Sequence, residues 1–146
     1  IYNPMTEEMF EAVLGQGARL NEARIHVSAR DELEGCRMLV ARDVIEHPAW
    51  PKPWPAMDLG KRASIAYRLA LVANGSYDAM MALSSKHEWD TAAGTLIVEE
   101  AGGVVSTHAG AKLGYNQVVP NHRSSVAAGP SMHAAILERT GHIRLP

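Results

Sequence analysis

The stretch from Lys86 to Gly103 constrains this chain most, because it fixes where one helix starts and where it stops. Ala93, Leu96, Ile97 and Ala101 recur at helical spacing, so one face packs inward. Asp90 stands just ahead of that run and reads as the N-cap, its carboxylate accepting from N–H groups that a helix start leaves free. Gly102-Gly103 supplies residues able to take the left-handed conformation that ends helices, and the β-branched pair Val104-Val105 continues as a strand. A carboxylate at such a junction stays ionised at neutral pH and is a hard oxygen ligand for Mg²⁺. Asp is also among the commonest caps, and one carboxylate does not make a Mg²⁺ site, so spacing alone leaves both roles open.

Upstream, residues 8–28 read as antiparallel strands. Met9 to Leu14 is the first, Gly15-Gln16-Gly17-Ala18 a turn, and Leu20-Asn21-Glu22 leads into Arg24-Ile25-His26-Val27-Ser28 with clean alternation. Gly15-Gln16-Gly17 invites a nucleotide loop, but Leu20 occupies the third glycine position and strands flank it, so that reading fails. Asp31 to Gly35 is a charged connector, and Cys36 to Ala41 a short strand entering a second sheet.

The segment Pro48 to Pro55 holds four of the eight prolines and reads as a loop, with Trp50 and Trp54 packing over the domain's edge. Ile65, Leu69, Val72 and Ala73 define a helix capped by Ser64 and ended by Gly75, and Tyr77 to Leu83 a buried strand. A last strand, Ser125 to Gly129, precedes a last helix that opens at Pro130, runs to Thr140 and closes at Gly141. The alternation of helix and strand after residue 36 argues α/β layers.

With 146 residues, 47% hydrophobic and 21% charged, the chain can bury a core. A net charge of -2 gives no electrostatic reason to expect nucleic acid or an anionic membrane as partner. The single cysteine, Cys36, excludes an internal disulfide and suits a reducing compartment. No apolar run of about 18 residues and no signal-peptide start occur, so a cytoplasmic location away from membranes is expected. The seven histidines lack zinc-ligand spacing. His87, one turn ahead of Asp90, reads as structural. No Gly-x-Ser-x-Gly elbow supports a serine nucleophile.

The run Trp89-Asp90-x-Ala92-Ala93-Gly94, a helix, then Glu100-Ala101-Gly102-Gly103 and a Val-rich strand resembles the C-terminal signature of the inositol monophosphatase superfamily. Tyr2-Asn3-Pro4 followed by the 8–28 strands resembles the segment just downstream of that family's main metal motif. The resemblance implies a layered αβαβα sandwich of which this chain is the C-terminal part. Residues 1–34 would belong to the N-terminal antiparallel sheet and 35–146 to a C-terminal α/β domain.

Members of that superfamily hydrolyse phosphate monoesters with Mg²⁺, water attacking phosphorus while the metals neutralise charge. The resemblance makes Asp90 the catalytic and metal-binding carboxylate, places Ala63, Ser64 and Ile65 at the substrate, and gives Trp89 and Thr91 supporting roles. It implies a small phosphorylated substrate and a homodimer. The family's other carboxylates, from an earlier Glu and from Asp-Pro-(Ile/Leu)-Asp-Gly-Thr, have no counterpart here, and Asp31-Glu32-Leu33-Glu34-Gly35 lacks the Pro and Thr. The chain also starts without Met. It is therefore expected to be about half of a complete enzyme, inactive and poorly soluble alone.

Two branches compete for the substrate. The inositol-phosphate branch uses an acid on the strand before the Trp-Asp loop, where this chain has Met81-Ala82-Leu83. Glu88 to Gly94 and the step from Asp78 to Asp90 look more like the 3′(2′),5′-bisphosphate nucleotidase branch, whose lysine in the first turn of the earlier helix is replaced by Tyr67 and Arg68. A phosphorylated nucleoside or a broad set of sugar phosphates is expected over inositol phosphate. The rival from another class is a scaffold or transcription-associated partner, a role some bacterial members fill.

Overall fold

The computed structural model describes residues 1–145. The chain begins with a four-stranded antiparallel meander: β1 (Tyr2–Asn3), β2 (Glu8–Ala12), β3 (Ala18–Leu20) and β4 (Ala23–Ile25) pair in sequence order. Alternation along β2 separates its faces: Phe10 is buried, whereas Met9 and Glu11 are exposed. Val13 and Leu14, expected in the strand, lie beyond it and are exposed. The expected run through Asn21-Glu22 is broken by a two-residue hairpin turn in which both residues take positive φ, 45° and 70°. Asn21 fixes it by accepting the Met9 N–H at 2.8 Å and donating to the Glu7 carbonyl at 3.0 Å.

The rest of the chain alternates: β5 (Arg37–Leu39), α1 (Arg42–Ile45), β6 (Asp58–Gly60), α2 (Ile65–Ala73), β7 (Ala79–Ala82), β8 (Lys86–His87), α3 (Glu88–Glu100), β9 (Val104–Ser106), β10 (Asn121–His122), β11 (Ser125–Ala128) and α4 (Pro130–Thr140). Five of these strands form a mixed sheet in the order β6-β5-β7-β11-β9. β5 runs parallel to β6 and β7, while β11 runs antiparallel to β7 and β9, with Val126 opposite Met81.

β5, β7 and β11 divide their core residues between the two faces of this sheet, and β9 adds Val105 to one of them. Leu39, Met80, Ala82, Val105 and Ala127 join one core with α2, α3 and Phe10 of the first sheet. Met38, Ala79, Met81, Val126 and Ala128 join a second core with Met132 and Ile136 of α4 and with Trp54. The layers are therefore first sheet, α2 with α3, second sheet, and α4, four layers of the expected sandwich. The outer face of the first sheet leaves Met9 39% and Tyr2 52% exposed. Among the described residues no helix is long and apolar enough to cross a membrane.

Two glycines shape the middle layer. A Cβ at Gly94 would lie 2.7 Å from Leu69 Cβ and 2.6 Å from its Cδ1, so its absence lets α3 pack tightly on α2. Gly102 takes φ +85° just past the end of α3, as the sequence predicts. Trp54 is buried and Trp50 packs edge-on against it at 5.2 Å, with the Arg139 guanidinium 5.1 Å over the Trp54 ring. β1, α1, β6 and the β8–β10 ribbon carry no sequence signal of their own. The last of these holds the site.

Candidate functional site

The first turn of α3 is the site's frame. The helix starts at Glu88, earlier than its apolar spacing suggests, and His87 is the N-cap. Asp90 is the third helical residue rather than the cap. Its carboxylate reaches back, Oδ2 accepting the His87 N–H at 3.2 Å, which is the reverse half of a capping box. The sequence alone misplaces the cap because Glu88 and Trp89 break the apolar period while still being helical.

Glu88 explains why the helix begins where it does. It is buried, and its carboxylate accepts the Asn116 N–H at 2.6 Å and the Gln117 N–H at 3.1 Å. Its own N–H donates to the Pro120 carbonyl at 3.0 Å. Just before it, β8 pairs antiparallel with β10, His87 facing Asn121 and Lys86 facing His122. The segment 116–122 thus clamps the first turn of α3 by main-chain bonds. His122 is buried beside Glu88; burial pushes its pKa down, against the pull of that carboxylate. Sequence reasoning missed these two supports, since the partners of Glu88 are backbone groups far along the chain.

The other predicted residues fall as follows. Thr91 is fully buried, its hydroxyl donating to the Glu88 carbonyl at 3.2 Å. Trp89 is 68% exposed and stacks on the His87 ring, centroids 4.2 Å apart and planes within 12°. Ser64 caps α2 as expected, its hydroxyl accepting the Tyr67 N–H at 3.2 Å. Ala63 and Ser64 are exposed, whereas the Ile65 side chain is buried in the core, so only its backbone is free to face a ligand. Tyr67 turns to the first sheet, its hydroxyl donating to Glu8 at 2.7 Å, and Arg68 donates to the Arg62 carbonyl at 2.6 Å. Asp78 serves β5, accepting the Arg37 N–H at 2.7 Å. The residues of α2 and those of α3 share one helical layer, joined at Leu69 and Gly94.

Asp90 is half-exposed, and among the described residues its Oδ1 has no hydrogen-bond partner. That free oxygen fits one corner of an octahedral Mg²⁺ sphere, which protein carboxylates share with water and phosphate oxygens. Among the described residues no group of three or more His, Cys, Asp or Glu side chains is placed to hold a metal ion. A cavity of about 680 Å³ opens elsewhere, between α1 and the proline-rich loop, lined by Arg42, Ile45, Trp50, Trp54 and Met57 among others, and Asp90 is not part of it.

The chain is similar to Nus factor SuhB of Vibrio cholerae, 36% identical over 99% of this chain and 54% of that protein. It is also 36% identical to the inositol monophosphatase of Mesembryanthemum crystallinum, over 72% of this chain and 42% of the relative. The structure of inositol monophosphatase from Anabaena superposes with a TM-score of 0.76 at 25% identity, covering 99% of this chain and 58% of that one. The chain spans about half the length of the curated relatives it matches. With a family model matched across residues 1–144 and the layered sheets and helices to go with it, the chain belongs to the inositol monophosphatase family.

Proposed function

We propose that this chain carries part of the catalytic centre of a Mg²⁺-dependent phosphomonoesterase acting on a small phosphorylated metabolite. The carrying observation is that Trp-Asp-x-Ala-Ala-Gly falls on the first two turns of α3, with one Asp90 oxygen tied to the His87 N–H and the other without a partner among the described residues. Asp90 is the metal-binding carboxylate in this reading, and the exposed start of α2 at Ala63 and Ser64, with the Ile65 backbone, faces the substrate. Mg²⁺, when bound, supplies positive charge to the phosphate and leaving oxygen and makes water a better nucleophile. The bond to His87 fixes the Asp90 rotamer. Glu88 holds the turn that carries it, and buried Thr91, with Trp89 through its stacking on His87, keeps that turn in place. The division into residues 1–34 and 35–146 belongs to the same proposal.

The test is Asp90→Asn in the full-length protein. Asn keeps a hydrogen-bond acceptor for His87 but loses the anionic oxygen. Phosphate release should fall by orders of magnitude, while stability without metal should move by no more than about 1 kcal/mol. The extra stabilisation on adding Mg²⁺ should shrink, because a ligand stabilises only as far as it binds the native state. Near wild-type turnover with an unchanged Mg²⁺ requirement would return Asp90 to a purely structural role.

The name Nus factor, carried by relatives such as the Vibrio cholerae protein, favours a second reading as a transcription-associated partner. Under that reading Asp90→Asn leaves partner binding intact whatever it does to hydrolysis.

A further inference from the structure

The helix that carries Asp90 starts without a strong cap. His87 is not one of the side chains that cap best, and a first turn with free N–H groups frays. Mg²⁺ tolerates little of that, because it demands near-ideal octahedral geometry at about 2.0–2.1 Å. Rotating the turn by about 10° around the helix axis would move a carboxylate about 5 Å from that axis by roughly 0.9 Å. The turn has to be held more tightly than its own cap can hold it.

Glu88 is placed to do so. It is buried and two residues ahead of Asp90, hence on the opposite side of the helix, so it acts on Asp90 through the backbone alone. Its carboxylate and its N–H all go to one segment: it accepts the Asn116 N–H at 2.6 Å and the Gln117 N–H at 3.1 Å, and donates to the Pro120 carbonyl at 3.0 Å. Asn116 takes φ 63°, a left-handed turn that lets successive N–H groups converge on one anion. That segment is anchored in turn. Leu113 is buried in the core, the Tyr115 hydroxyl donates to Thr95 Oγ1 at 2.7 Å, and Asn121 and His122 pair with His87 and Lys86. Three bonds from one residue to one anchored segment oppose rotation of the turn as well as fraying. Resting on the phosphatase reading, we infer that Glu88 is a positioning residue through which segment 113–122 sets how tightly Asp90 holds Mg²⁺.

The experiment titrates Mg²⁺ into the full-length protein by calorimetry, with no substrate present. Glu88→Gln sets an NH₂ group against one of the two N–H donors. The Kd for Mg²⁺ should rise about 10–100-fold, the loss typical when a group that orients a metal ligand is removed. Raised Mg²⁺ should then restore most of the turnover. Asp78→Asn is the control, because that buried carboxylate also accepts a main-chain N–H, from Arg37 at 2.7 Å, but at β5. It should cost stability and leave the Kd unchanged. The wild-type protein gives a reading that needs no variant to fold: Mg²⁺ should slow amide exchange at Asn116 and Gln117 and not at Arg37, since coupling between two sites is reciprocal. An unchanged Kd in Glu88→Gln, or no slowing at Asn116 and Gln117, overturns the inference, and the phosphatase reading stands if Asp90→Asn still weakens Mg²⁺ binding. Mg²⁺ binding that Asp90→Asn leaves intact overturns both.

Discussion

The Glu100 carboxylate accepts the Gly17 N–H at 2.7 Å, joining the end of α3 to the β2–β3 hairpin. Its other oxygen accepts the Gly15 N–H at 2.8 Å. The Gly-Gln-Gly turn that superficially suggests a phosphate cradle thus holds an anion supplied from within.

Those two bonds hold the Glu100 carboxyl below the usual glutamate range. A depressed folded pKa means that the native state binds the proton less readily than the unfolded chain. The tie is therefore fully present above the ordinary glutamate pKa and lost as pH falls through the lowered value. Glu100→Gln replaces one acceptor with an NH₂ group and should speed amide exchange at Gly15 or Gly17 at neutral pH, read by NMR, with exchange in the second sheet unaffected.

Gly94→Ala should destabilise the fold. The new methyl would sit 2.7 Å from Leu69 Cβ, which no rotamer change moves. Overpacking costs about 1–3 kcal/mol, against a gain of up to about 1 kcal/mol from better helix propensity. Urea titration should show a lower midpoint, and the Gly94→Ala/Leu69→Ala double variant should lose less stability than the sum of the two single losses, because removing Leu69 Cγ and Cδ1 relieves part of the clash.

Buried His133 should make the fold acid-sensitive. Its Nε2 lies 2.9 Å from Ser106 Oγ, which donates its own proton to the Thr107 carbonyl at 2.8 Å, so the imidazole donates to the hydroxyl. Burial pushes the His133 pKa down. The unfolded chain takes up a proton at the ordinary imidazole pKa and the native state only at lower pH. Stability is then complete above that ordinary value and falls as pH descends through it. His133→Gln should flatten the pH dependence of thermal unfolding between roughly pH 7 and pH 5, leaving the part due to His122.

Cys36 should resist alkylation. It is buried, and burial together with the Asp78 carboxylate pushes the thiol up to about 11. Since the thiolate is the reactive form, iodoacetamide at pH 8 should modify it only as fast as the chain opens, and at once in denaturant.

Much of this fold is legible where a cap, a period and a stop agree. Ser64, the Ile65–Leu69–Val72–Ala73 face and Gly75 give α2, and Pro130 with Gly141 gives α4. The first sheet is legible as strands but not in its registers, because Asn21-Glu22 turns without a glycine to announce it. Asp90 is legible through the sequence pattern around it, yet its real position in the helix depends on Glu88, whose partners at Asn116 and Gln117 are backbone N–H groups. Main-chain donors leave no residue signature, so the clamp is invisible until the chain is folded.

That clamp gives α3 a mechanical property. The helix has 13 residues, about 20 Å at the usual rise, and is tethered at both ends by carboxylates, Glu88 to the segment 116–117 and Glu100 to the turn 15–17. A strut fixed at both ends transmits displacement along its axis instead of absorbing it. Anything that stiffens the first turn at Asp90 should therefore be felt at the far hairpin, as slower amide exchange at Gly15 and Gly17, with no ligand anywhere near them.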